Sequence, residues 1–207
     1  MQLKTSPHKQ ERAVATRGEL ILAARTVFAR DGFESARIED IAKIAGKTRG
    51  AFYANFRDKE DVFFAIYEED VARDQERISA LSAAGSLEER VDAIAAYLAE
   101  ALDDRQRVLL NLEFKMYVIR RPQKRKRLSE LYSQMCVRCA TTKINNLFPE
   151  LTDADLQKRR RLTMEVGAAM EGLALNSLFS PENLTVEQRK RYLRIASAEA
   201  LRSAQET

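Results

Sequence analysis

Few residues in this chain could do covalent chemistry. There is one histidine, His8, and two cysteines, Cys136 and Cys139, in 207 residues. A triad or a zinc site needing an ordered histidine has almost nothing to draw on. The C-x-x-C pair falls inside a predicted helix, with no second pair to complete a metal site, and reads as small buried thiols before it reads as a redox switch. Two cysteines cannot staple a chain of this size and point to a reducing cytoplasm. Glu113 stands out among the carboxylates because Leu109, Leu110, Met116 and Tyr117 surround it on a helix surface. A carboxylate so placed needs a partner: an arginine, a backbone donor or a cationic ligand.

The remaining chemistry is cationic, and it is unevenly placed. Residues 1–56 hold ten basic and six acidic residues, while the rest of the chain is balanced at 25 of each, so the whole net charge of +4 lies in the first quarter. A basic head on a neutral body suits a polyanion-binding module. The run Arg120, Arg121, Lys124, Arg125, Lys126 and Arg127 spreads around a helix and reads as a solvated face.

The elements that must position these residues are helices. Ala, Leu, Glu, Arg and Gln dominate, period-2 alternation is absent, and no apolar run approaches the ~18 residues of a membrane helix. Seven Gly and four Pro exclude collagen-like and low-complexity classes. The polar stretch Met1–Arg12 has no secretory h-region and is expected to be a tail. About nine helices are expected, over roughly 12–31, 38–45, 49–56, 59–83, 86–102, 105–120, 122–147, from 152–155 to 180, and from the Thr185 cap to 204. Gly32 and Gly46 end the first two as C-caps, and Thr48 and Asp58 begin the third and fourth as N-caps. The second and third are short and joined by Gly46-Lys47-Thr48, which is a helix-turn-helix signature. Ile38, Ile41, Ala45, Phe52 and Phe56 would pack them onto the first helix and leave the third free to enter a major groove.

Read together, residues 17–67 resemble the DNA-binding domain of TetR-family transcriptional regulators. The likeness lies in Arg17-Gly18-Glu19-Leu20-Ile21-Leu22-Ala23-Ala24, Phe28-Ala29-Arg30-Asp31-Gly32-Phe33, Ile38-Glu39-Asp40-Ile41-Ala42 and the run from Arg49 to Phe63. Arg120-Arg121-Pro122 and Met170-Glu171-Gly172-Leu173-Ala174 look like AcrR-type members. The resemblance implies an all-α fold with an N-terminal three-helix DNA-binding domain (residues 1–57) and a C-terminal helical bundle for effector binding and dimerisation (58–207). It places DNA contacts on Lys47, Thr48, Arg49, Gly50, Tyr53, Asn55 and Lys59, with Arg37 a possible addition. Arg49 is the best base reader, because its fork fits guanine N7 and O6. Gly50 lets backbone approach the sugar-phosphate chain, and Lys59 at a helix N-terminus suits a phosphate.

For the larger domain the resemblance implies a small-molecule pocket. Tyr97, Phe114, Tyr117, Tyr132, Met135 and Met170 are its expected lining, with Asn111, Glu113 and Asn176 as polar contacts, although each apolar residue alone reads first as core. The sixth helix, apolar nearly all round, is expected to be buried on most sides. Val166, Ala169, Gly172 and Leu173 with Tyr192 and Ala196 would form a four-helix dimer interface. The expected function is a cytoplasmic dimeric repressor of a double-stranded DNA operator. An apolar or amphipathic effector, cationic if Glu113 faces it, would release the operator, with no cofactor, enzyme activity or membrane partner. The alternative is a DNA-binding dimer without an effector, either an activator or a nucleoid-type protein.

Overall fold

A computed structural model describes residues 7–81, 83–151 and 156–205, and their side chains apart from those of 7–10, 136–146, 150, 156, 204 and 205. Among the described residues there are nine α-helices and no strand: α1 Pro7–Asp31, α2 Ile38–Ile44, α3 Arg49–Asn55, α4 Lys59–Ser79, α5 Leu87–Ala101, α6 Arg105–Ile119, α7 Pro122–Leu147, α8 Leu156–Phe179 and α9 Val186–Gln205. None of them is long and apolar enough to cross a membrane.

Local chemistry sets most boundaries. Gly32 and Gly46 adopt φ of +77° and +65°, a left-handed turn that a Cβ would oppose. Thr48 and Asp58 accept from Ala51 N (3.1 Å) and Asp61 N (2.8 Å), satisfying N–H groups that the helix cannot. Ser86 and Glu89 form a reciprocal capping box, and Thr185 forms one with Gln188. Two ends differ from the sequence reading. The described part of the first helix runs from Pro7, ahead of the expected start near Arg12. The fourth stops at Ser79, because Ile78 is its last buried residue and Leu81 N bonds back to Ile78 O (3.0 Å) in a turn.

Packing ties the small helices to the large ones. α2 and α3 lie on α1 through Ile38, Ile41, Ala45, Phe52 and Phe56. The same core continues into Phe63 of α4, Leu110, Phe114, Tyr117 and Val118 of α6, and Leu128 of α7, so it crosses the expected division at residue 57. Phe33, in the α1–α2 turn, is its hub. Its ring centroid lies 5.8 Å from Phe63, 5.3 Å from Phe114 and 4.9 Å from Tyr117, and Phe63 stacks on Phe114 at 3.7 Å. The sixth helix is buried or half-buried on most sides, packing under the head through Phe114 and Val118 and against α5 and α8 through Val108 and Leu112, with Met116 and Ile119 exposed. Two further apolar clusters join α5 to α8 and α9, one reaching the ends of α4 and α7 and the other reaching α6.

Candidate nucleic-acid interface and effector cavity

The seven residues of α3 divide cleanly between two environments. Phe52 and the following Phe56 are buried, their centroids 5.6 Å apart, with the Arg17 guanidinium 4.7 Å above the Phe56 ring. Thr48, Arg49, Gly50 and Tyr53 are exposed on the other side. Arg49 reaches Glu39 (2.8 Å) and the Tyr53 hydroxyl (3.4 Å), and Lys47 reaches Glu19 (2.7 Å). Exposed pairs of this kind are weak in water, so a phosphate or a guanine edge can displace the carboxylates. Arg37 is exposed at the start of α2, with no side-chain cap bond to occupy it. Asn55 stands apart from this group. Its amide donates back to Ala51 O at 2.8 Å, half-buried at the far end of the helix.

Lys59 is a correction to the expected contact set. Its ammonium donates to the carbonyl oxygens of Phe33 (3.0 Å), Glu34 (2.7 Å) and Ala36 (2.9 Å). All three donors are spent on the α1–α2 turn, and none is left for a phosphate. Burial, aided by the nearby Arg121 charge, lowers its pKa. Lys59→Ala is therefore expected to act on stability, costing about 1.5–3 kcal/mol for lost charged hydrogen bonds. Chemical denaturation checks the cost, and the salt dependence of DNA binding should keep its slope; a slope smaller by about one unit would restore Lys59 to the phosphate contacts.

Glu113 has the backbone donor that was one of its expected partners, and only its place among the pocket contacts is corrected. Its carboxylate accepts from Phe33 N at 2.6 Å and lies against Gly32, so its partner is a backbone donor at the joint, not a ligand in a cavity. Around the same joint Glu60 is buried, accepting from the Tyr117 hydroxyl and Lys124 (2.6 Å each) and from Arg127 (3.1 Å). Burial pushes its carboxyl up, but Lys124 and Tyr117 outweigh burial and leave it below the usual value. Arg121 adds a bond to Glu34 at 2.6 Å. Part of the basic run is thus structural.

A cavity of about 440 Å³ lies between α4, α5, α6, α7, α8 and α9. Tyr97, Tyr132, Met170 and Asn111 line it as expected. Phe114 and Tyr117 do not, being part of the core around Phe33, and neither Met135, Glu113 nor Asn176 is among its lining. Asn176 instead donates to Gly172 O (2.7 Å) on the exposed side of α8. At one end Arg107 grips Asp74 with two bonds (2.8 and 2.7 Å), and the Tyr97 hydroxyl donates to the same carboxylate at 2.5 Å. Burial and then the Asp74 bond push the Tyr97 hydroxyl pKa up. Lys115 pairs with Glu171 at another part of the lining. Asp74 and Arg107, 33 residues apart, carried no spacing signal that could have joined them.

Residues 20–66 match the family model described as bacterial regulatory proteins, tetR family. The chain is 29% identical over 202 residues to the transcriptional regulator AcrR of Shigella flexneri, covering 92% of this chain and 89% of that one. It is 39% identical over 69 residues to the transcriptional repressor AcnR of Corynebacterium efficiens, a match spanning 33% of this chain and about a third (37%) of that relative's length. A transcriptional regulator from Rhodococcus sp. Rha1 has the same fold, with a TM-score of 0.67 at 22% identity, covering 90% of this chain and 96% of that one. The family model, these relatives and the shared fold together support a TetR/AcrR-family transcriptional regulator. Its relatives are regulators, not enzymes. Among the described residues no cluster of histidine, cysteine and carboxylate could hold a metal; the side chains of Cys136 and Cys139 lie outside them.

On this TetR-family fold the largest exposed apolar side chains of α8 and α9 form a stripe: Met164, Leu175 and Phe179 with Tyr192 and Ile195. Gly172 lies exposed within it, and Val166, Ala169, Leu173 and Ala196 are half-buried at its edge or beneath. The small-residue reading chose the same two helices but did not name Leu175 and Phe179. Their i, i+4 spacing continuing from Met164 and Ala168 was the available signal.

Proposed function

We propose that the protein is a homodimeric repressor that reads a pseudo-palindromic double-stranded DNA operator with α3 and releases it when a small molecule fills the α4–α9 cavity. The observation that carries this reading is the two-sided α3. Buried Phe52 and Phe56 hold it rigidly, while Thr48, Arg49, Gly50 and Tyr53 face outward at its N-terminal end. That end is the part of a recognition helix that meets base edges. One such helix contacts few bases, and the apolar stripe of α8 and α9 offers the self-complementary face a two-fold dimer needs.

α4 links the two functions. Lys59 and Phe63 fix its first turns in the head, while Tyr67, Asp74 and Ile78 line the cavity. A ligand that favours one position of α4 changes the spacing of the two recognition helices to the extent that it prefers that position. The cavity supports this reading over an effector-free one, since its volume lies within the range of small-molecule sites.

Arg49→Ala tests the DNA-reading role. It is expected to weaken the preferred site about 10- to 100-fold and flatten the preference at one base position, as loss of a bidentate guanine contact does. Competition binding against single-base operator variants measures both. Unchanged affinity and preference would remove Arg49 as the base reader.

A further inference from the structure

We infer that the cavity takes an uncharged, mainly apolar small molecule bearing one hydrogen-bonding group, which the Ser197 hydroxyl on α9 holds. The inference rests on the effector-cavity reading above and adds the chemistry of the ligand. Four charged side chains line the cavity, and they form two neutral pairs: Asp74 with Arg107, further closed by the Tyr97 hydroxyl, and Glu171 with Lys115, whose ammonium also lies 4.8 Å above the Tyr132 ring. An anion would have to take Arg107 or Lys115 from its carboxylate, and a cation would have to take a carboxylate from its base. Either exchange strands a charge, in a low-dielectric site at Asp74–Arg107, whose side chains are 15% and 18% exposed, and at the more open end at Lys115–Glu171. Glu113, which would have favoured a cation, is spent on Phe33 N at the joint.

Most of the remaining wall is aliphatic or aromatic, including Ile94, Leu98, Leu112, Phe148 and Leu162. Asn111, Ser133, Thr163 and Ser197 are the uncharged polar exceptions. Asn111 and Thr163 donate to carbonyl oxygens of their own helices at 3.0 and 2.8 Å, and Ser197 is the buried one left without a partner. Ser197 is 5% exposed, lines the cavity, and its Oγ has no hydrogen-bond partner among the described residues. A buried hydroxyl without a partner is costly to keep, and a ligand oxygen or nitrogen beside it would satisfy it. Neutral pairs, a mainly apolar wall and one buried, unspent hydroxyl together select for a hydrophobic body with a single polar handle.

Three probes sharing one carbon chain isolate the charge: decan-1-ol, decanoate and decylammonium, titrated calorimetrically into the full-length protein at pH 7. Decan-1-ol is expected to bind at least ~10-fold more tightly than either ion, given the cost of an unpaired buried charge. Ser197→Ala is expected to weaken decan-1-ol about 2- to 12-fold, the effect of one net hydrogen bond, with the melting temperature recorded alongside. Equal or tighter binding of either ion, or no change in Ser197→Ala, would overturn the inference while leaving the cavity as the effector site. Gly167→Phe separates the two levels, since Gly167 lines the cavity and a Cβ there meets nothing within 4 Å. It should abolish binding of whichever probe binds. Binding that survives this substitution, or no binding of any probe to the wild type, would refute the effector cavity itself and the inference with it.

Discussion

Phe33→Ala is expected to destabilise the protein by about 3–5 kcal/mol, the cost of removing a buried aromatic ring and leaving a cavity. Phe33 is 0% exposed and packs among Phe28 of α1, Phe63 of α4, and Phe114 and Tyr117 of α6, three different helices. The ring sits where the head meets α6, so the loss falls on the joint and not on one domain. The backbone bond from Phe33 N to Glu113 does not involve the ring and should survive. Phe33→Leu refills part of the space and should cost visibly less. Denaturant titration followed by circular dichroism measures both variants. A cost below ~1 kcal/mol for the alanine variant would mean that head and body do not share a core.

Phe179→Glu should split the dimer and lower operator affinity about 10²- to 10⁴-fold, the advantage that linking two weak sites confers. Phe179 is 82% exposed in the single chain, so folding has no use for its ring. It continues the stripe of Met164 and Leu175 on α8, beside Tyr192 and Ile195 on α9. Apolar stripes of this extent are rarely left open to water, which is the ground for proposing that a second copy covers this one. A glutamate there would bring two like charges together across a two-fold axis. The melting curve of the isolated subunit should change little, while sedimentation at micromolar concentration should shift from dimer to monomer. A variant that stays dimeric would move the interface elsewhere, and a monomeric wild type would end the dimer proposal.

What the sequence made legible follows physical range. Gly32, Gly46, Thr48 and Asp58 act on neighbours within four residues, and the helix ends they set are where the sequence placed them. The buried face of α3 was legible because Phe52 and Phe56 repeat at helical spacing. Lys59 and Glu113 were not legible, because their partners lie 23–26 and 80 residues away and are backbone groups that carry no sequence signal. The same holds for Phe114 and Tyr117. Their aromatic character suited a pocket equally well until Phe33 placed them in the core of the joint. In the cavity, Tyr97, Tyr132 and Met170 were found by type, whereas Asp74, Arg107 and Ser197 meet only when α4, α6 and α9 come together.

Sequence-specific recognition by paired α3 helices is the central claim, and selection of bound fragments from a random duplex pool at ~0.15 M salt tests it most directly. The account predicts enrichment of a pseudo-palindrome whose half-sites lie about one helical turn, or a multiple of it, apart, and loss of preference at one position in each half with Arg49→Ala. A wild-type selection that returns the starting pool without enrichment, or a single asymmetric site with no repeated half, would contradict it.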